Sequence, residues 1–82
     1  MNNSLEYIYE NTKKLIKQLE NNGFLLEKGK LEDAMSYGCT FGEILSNIGG
    51  ELNEIYINKE KYPESFINLS KQILSDIDNL QI

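Results

Sequence analysis

The sequence predicts an all-α fold, a compact four-helix bundle forming one domain over residues 1–82. Three observations carry that prediction. Apolar residues recur at three- and four-residue spacing in successive segments, the repeat that places one stripe on a helix. Helix punctuation separates the segments: a glycine stop, a capping box and a proline. The connections are short, with no internal repeat, low-complexity tract or flexible linker.

The first helix runs from about Ser4 to Asn22, with Ser4 as its cap and Leu5, Ile8, Thr12, Leu15, Ile16 and Leu19 as its inner stripe. Glu6 and Glu10 come early and Lys13, Lys14 and Lys17 later, an order that suits the helix dipole and offers the pairs Glu6–Lys13, Glu10–Lys13 and Glu10–Lys14. Gly23 stops this helix, and Phe24 folds back on its last turn. A short second helix follows from about Lys30 to Tyr37, bracketed by Gly29 and Gly38, with Leu31, Ala34 and Met35 inward.

Thr40-Phe-Gly-Glu43 has the form of a capping box and opens a third helix. Its stripe is Phe41, Ile44, Leu45, Ile48, Leu52 and Ile55, after which Tyr56 and Ile57 lead into a turn over Asn58–Tyr62. Gly49-Gly50 interrupts that stripe at a cost of about 1 kcal/mol per glycine relative to alanine. The apolar phase continues to Leu52, so Gly49 is expected to admit a neighbouring helix closely rather than to mark a kink. Pro63 is expected as the first residue of a fourth helix, where its missing N–H is harmless. That helix runs to about Asn79 with Phe66, Leu69, Ile73, Ile77 and Leu80 inward.

Composition excludes several functions. There is one cysteine, Cys39, and no histidine. A lone thiol forms no internal disulfide and fits a reducing, cytoplasmic setting; Cys39 is expected to be a small half-buried core residue. Without histidine, general acid–base catalysis lacks its commonest agent, and the candidate bases for a nucleophile are only carboxylates and lysines. No catalytic residue, cofactor or metal site is therefore expected. Asp76-Ile-Asp78-Asn79 has the look of the start of a calcium loop, but no closing glutamate follows, and a polar helix face is the expected reading. An acyl carrier protein would share the size and acidity, yet no Asp-Ser-Leu attachment motif is present. With no arginine and a formal net charge of −5, direct binding to nucleic acid or to an anionic membrane is not expected. Met1–Glu10 lacks the basic-then-apolar order of a signal peptide, and no apolar run approaches the ~18 residues of a membrane span.

The charge is unevenly placed. From Leu31 to Tyr56 there are five carboxylates, Glu32, Asp33, Glu43, Glu51 and Glu54, and no lysine. Helical phasing puts Glu43, Asn47, Gly50 and Glu54 opposite the apolar stripe of the third helix, with Glu51 beside them. Asp33 and Tyr37 share a face of the second helix. A one-sign field flanked by the aromatic residues Tyr37 and Tyr56 is the pattern of a surface that steers and anchors a cationic protein partner. The same pattern also describes a solvated face kept acidic for solubility, and charge alone does not separate the two.

The stretch Leu31-Glu-Asp-Ala34, Phe41-Gly-Glu-Ile-Leu45, Leu52-Asn-Glu54 and Ile57, followed by Tyr62, Phe66 and Leu69, resembles the Maf-type immunity family, small helical proteins of bacterial polymorphic-toxin and contact-dependent growth inhibition systems. The resemblance covers about half of the chain; Gly49-Gly50 and the lysine-bearing first helix depart from it. It implies an antitoxin without chemistry of its own, which binds a cognate toxin in the cytoplasm and occludes its active site. Such toxins are commonly nucleases with basic clefts, so the resemblance implies a basic partner, a ribonuclease first of all, met by an acidic helical face. Glu43, Glu51 and Glu54 are the candidate contacts, with Asp33 and Glu32 behind them, and Tyr37, Asn47 and Tyr56 complete the partner-binding set. Two alternatives remain open: a phage- or plasmid-borne inhibitor that mimics nucleic acid, and a helical adaptor or oligomerisation domain that binds through Phe24, Leu25, Ile55, Tyr56 and Ile57.

Overall fold

A computed structural model describes residues 4–80, which form four α-helices: α1 (Ser4–Asn21), α2 (Leu25–Ser36), α3 (Phe41–Ile57) and α4 (Glu64–Leu80). A short 3-10 turn, Lys59–Lys61, joins α3 to α4. No strand occurs among the described residues. The principal packing runs α1 on α2, α2 on α3, α3 on α4 and α4 back on α1, which closes the ring of a four-helix bundle. No helix among the described residues is long and apolar enough to cross a membrane.

Each helix contributes one stripe to a common core. Ile8, Leu15 and Leu19 come from α1, Leu31 and Ala34 from α2, Leu45, Ile48, Leu52 and Ile55 from α3, and Phe66, Ile67, Ile73 and Ile77 from α4. Fully burying one such aliphatic side chain contributes about 1.5–3 kcal/mol, so α3, with four buried apolar residues, is tied to the core more strongly than α2, with two. Thr12 is also fully buried, and its hydroxyl donates to the Ile8 carbonyl at 2.6 Å, which satisfies it within its own helix. Ser70 of α4 is equally buried, and its hydroxyl has no partner among the described residues.

The end of α1 follows the expected stop. Gly23 adopts φ +83°, the Gly23 amide donates to the Glu20 carbonyl, and the Phe24 amide reaches back to the Leu19 carbonyl at 2.9 Å. This pair of bonds is the Schellman closure, and it turns Phe24 toward the bundle. The Ser4 side chain, the expected cap of α1, lies outside what is described. The Glu6–Lys13, Glu10–Lys13 and Glu10–Lys14 pairs do not close; the ion pairs within 4 Å among the described residues are Lys28–Glu32 and Lys30–Glu54.

Several sequence expectations are corrected. Helix α2 begins at Leu25, five residues ahead of Lys30, so Gly29 lies inside it, and Tyr37 follows its end as the C-terminal cap. The early turns escaped periodicity because Leu25 and Leu26 face solvent there instead of extending the Leu31–Ala34 stripe. Helix α3 continues through Ile57, and Phe41, at its first position, is beyond the reach of the core and 62% exposed. Helix α4 starts at Glu64; Pro63 precedes it, its carbonyl accepting from the Phe66 and Ile67 amides. Cys39 is exposed, held in the turn before α3 rather than half-buried in the core.

The glycines also redistribute. A Cβ on Gly49 would sit 3.9 Å from a Leu74 methyl, an ordinary contact, so no close helix approach depends on this glycine. Gly38 is the crowded position instead: a Cβ there would meet Ile44 Cγ1 at 2.9 Å and the Ile44 amide nitrogen at 3.3 Å. Gly29 and Gly50 face open space inside helices.

Urea unfolding followed by circular dichroism should therefore rank four substitutions. Gly29→Ala and Gly50→Ala should each stabilise by about 0.5–1 kcal/mol, the helix-propensity gain with no steric penalty. Ser70→Ala should stabilise by about 1 kcal/mol by removing an unpartnered buried hydroxyl. Gly38→Ala should destabilise by about 1–2 kcal/mol through overpacking against Ile44.

Candidate functional site

The turn between α2 and α3 is fixed by side chains that the sequence places on the acidic face. Thr40 caps α3, its hydroxyl accepting from the Glu43 amide at 3.1 Å. The Glu43 carboxylate returns the favour one residue early, accepting from the Cys39 amide at 2.7 Å. Asn47, one turn further on, donates its side-chain N–H to the Tyr37 carbonyl at 2.7 Å. These bonds, with Gly38 seated against Ile44, hold Tyr37 outward at 71% exposure.

Beside this turn, α2 and α3 frame a shallow groove of about 410 Å³. Asp33 lines it from α2, Tyr37 from the end of that helix, and Asn47 and Glu51 from α3, together with the small residues Ala34, Ser46 and Gly50. Its polar lining includes two carboxylates, an exposed phenol, an amide engaged with the backbone, and the Lys30 ammonium. Glu54 lies on the same side of α3, 3.9 Å from Lys30.

The eight residues expected at the partner surface thus divide. Asp33, Tyr37, Asn47 and Glu51 meet in the groove, with Glu54 next to it. Glu43 and Asn47 also build the turn, each with one side-chain polar atom engaged there, Glu43 Oε1 and Asn47 Nδ2. Glu32 leans toward α1: it pairs with Lys28 at 3.6 Å and borders a separate depression with Lys13 and Ile16. Tyr56 is half-buried on the α4 side of α3, beneath the Lys59 ammonium at 5.3 Å from its ring centre, and shares its surroundings with Lys71 rather than with Tyr37. Tyr37 and Tyr56 therefore do not flank one surface. Of the apolar anchors named for an adaptor, Ile55 is buried in the core, whereas Leu25 and Ile57 are exposed.

Two residues missing from the sequence reading change the electrostatics. Lys30 sits one position before the lysine-free window and one turn from Asp33 on α2, so in space it enters the acidic face that the window defines. Glu27 belongs to a second, smaller recess of about 130 Å³ with Glu51, Glu54, Lys30 and Lys61. Its carboxylate accepts a 2.7 Å hydrogen bond from the Tyr62 hydroxyl. Tyr62 in turn packs on Phe24, ring centres 5.1 Å apart, and Phe24 meets Phe66 edge-on at 5.8 Å. The signal for Lys30 was available: it opens the expected second helix three residues before Asp33, a spacing that puts both on one face. No local pattern couples Glu27 to Tyr62, which lie 35 residues apart.

The Glu27–Tyr62 contact shifts both groups. The Tyr62 hydroxyl holds the Glu27 carboxyl below its ordinary value of 4.5, with Lys61 and Lys30 adding to the effect. Burial first, and then the bond to Glu27, push Tyr62 up to about 12. A carboxyl with a lowered folded value stabilises the fold above its ordinary range, and that contribution is lost as pH falls below about 4.5. A phenol raised from 10.0 stabilises below that value, and its contribution is lost as pH rises toward 12. Urea midpoints measured across pH should fall at both ends. Tyr62→Phe should lower the neutral-pH stability by about 1–2 kcal/mol and flatten both limbs; unchanged limbs would mean that other groups set them.

Comparison with known proteins adds no relative to this geometry: no protein-family model matches the chain, and neither a curated protein nor a solved structure matches it.

Proposed function

We propose that the protein is an immunity protein, an antitoxin that binds a basic toxin domain, first of all a ribonuclease, through the α2–α3 face and occludes the toxin's active site. The observation that supports this reading is the groove in which Asp33 and Glu51 converge beside the exposed Tyr37 ring. Two carboxylates at a rigid edge favour approach of a lysine- or arginine-rich surface, and an exposed aromatic ring supplies apolar contact at small entropic cost. The sequence resemblance to Maf-type immunity proteins points the same way. Among the expected contacts, Asp33, Tyr37 and Glu51 now take the leading roles, Glu54 acts together with its counterion Lys30, and Glu43 and Asn47 act by holding the turn.

A second reading, a helical adaptor that binds through apolar surface, draws support from the exposure of Leu25, Leu26 and Ile57. The phage-type inhibitor shares the electrostatics of the first reading and differs only in its basic target.

The experiment is association with the toxin domain encoded beside this gene, followed across a salt series. Electrostatic docking predicts an association rate that drops at least about tenfold between low and high salt. Asp33→Lys with Glu51→Lys should abolish most of that slope and weaken binding by about 2 kcal/mol or more. Salt-insensitive binding that survives both changes and is lost with Leu26→Ser and Ile57→Ser would decide for the adaptor.

A further inference from the structure

The first turns of α2 are held differently from the rest of the bundle. From Leu25 to Lys30 no side chain is fully buried: Leu25 and Leu26 are exposed, and the helix buries its first residue only at Leu31. Phe24, at the N-cap position, offers no side-chain acceptor to the free amides. Gly29 sits inside the segment in open space, lowering its helix propensity at the far end. Leu, Glu and Lys favour helix here, but a single capless turn and a half with no fully buried side chain is marginal on propensity alone; apolar periodicity starts the helix only at Lys30.

Within α2 it is tied on by the surface Lys28–Glu32 pair at 3.6 Å, and two contacts reach it from the rest of the bundle. The Glu27 carboxylate is tied to the Tyr62 hydroxyl at 2.7 Å, and Lys30 reaches Glu54 at 3.9 Å. Both tethers cross from α2 to the far end of α3 and the turn that follows it. Phe24 has contacts of its own, on Tyr62 and Phe66 and in the Schellman closure.

We propose that Leu25–Lys30 is a detachable arm, latched by the Glu27–Tyr62 hydrogen bond, which unwinds while the bundle remains folded and in doing so withdraws Lys30 from Glu54. The arm therefore acts as a built-in counterion: closed, it neutralises part of the acidic face; open, it leaves Glu51 and Glu54 to an incoming cation. This consequence rests on the acidic-face reading, whereas the opening itself does not.

Local opening is read by amide exchange, which separates partial from whole-molecule unfolding by its dependence on denaturant. In the intact chain, NMR-detected exchange of the Lys28, Gly29 and Lys30 amides should be about tenfold or more less protected than that of Ile48 and Leu52. Its dependence on low urea should be nearly flat. Tyr62→Phe should speed exchange of the three amides by about fivefold to tenfold, the factor expected for one lost hydrogen bond. Glu27→Gln, which keeps an acceptor but not its charge, should give a smaller increase. Equal protection and equal urea slope for the arm and for Ile48 and Leu52 would overturn the proposal, since α2 would then open only with the whole fold. Unchanged exchange in Tyr62→Phe would overturn the latch. If that variant is too unstable to study, the wild-type comparison decides. No partner is needed, so failure of the arm is distinguishable from failure of the docking surface.

Discussion

The hydrogen bond from Tyr62 to Glu27 sets the first turns of α2 and, with them, Lys30 at the edge of the candidate surface. Helix α2 buries Leu31 and Ala34 and packs Met35 against the core, all in its second half, so its first turns have little apolar anchorage of their own. Tyr62, on the connection between α3 and α4, fastens the early turns of α2 by a polar bond and, through Phe24 and Phe66, by an aromatic cluster. With α2 so placed, Asp33 and Tyr37 are set facing Asn47 and Glu51 across the groove. The other end of α2 is fixed by the turn at Gly38, where Asn47, Thr40 and Glu43 hold the backbone. The acidic face is thus clamped at both ends, by different chemistry at each.

This division assigns the polar residues of α3 to distinct tasks. Glu43 and Asn47 each commit one side-chain polar atom to local structure, which orients Tyr37. Glu51 is half-buried between two recesses and has no lysine within ion-pairing distance among the described residues. Glu54 has Lys30 near it, a surface pair of the kind worth at most about 1 kcal/mol and readily exchanged for another cation. An acidic surface organised in this way has a fixed edge, one free carboxylate and one carboxylate with a replaceable counterion.

Much of the fold was legible in the sequence because most helices obey local rules. The stripes of α1, α3 and α4, the Gly23 stop and the Thr40 cap follow from spacing and hydrogen-bonding chemistry within a few residues. The beginning of α2 was not legible, because Leu25 and Leu26 point outward and the contact that ties the segment to the bundle, Glu27 to Tyr62, spans 35 residues. The site was legible in part for the same reason. Counting charges along the chain isolates Glu51 and Glu54, but it excludes Lys30 at the edge of the window, and only the folded helix returns Lys30 to that face. Tyr56 shares the window with Tyr37 yet faces α4, a difference that depends on which neighbours close the bundle.

Docking of a basic protein in the α2–α3 groove, as proposed, is open to a direct check by NMR chemical-shift mapping of the isotope-labelled chain with the neighbouring toxin domain added. The largest changes should fall on the amides of Asp33, Tyr37, Asn47, Gly50 and Glu51 and leave the outer faces of α1 and α4 unmoved. Changes centred instead on Leu25, Leu26 and Ile57, or on the α1–α4 side, would contradict it.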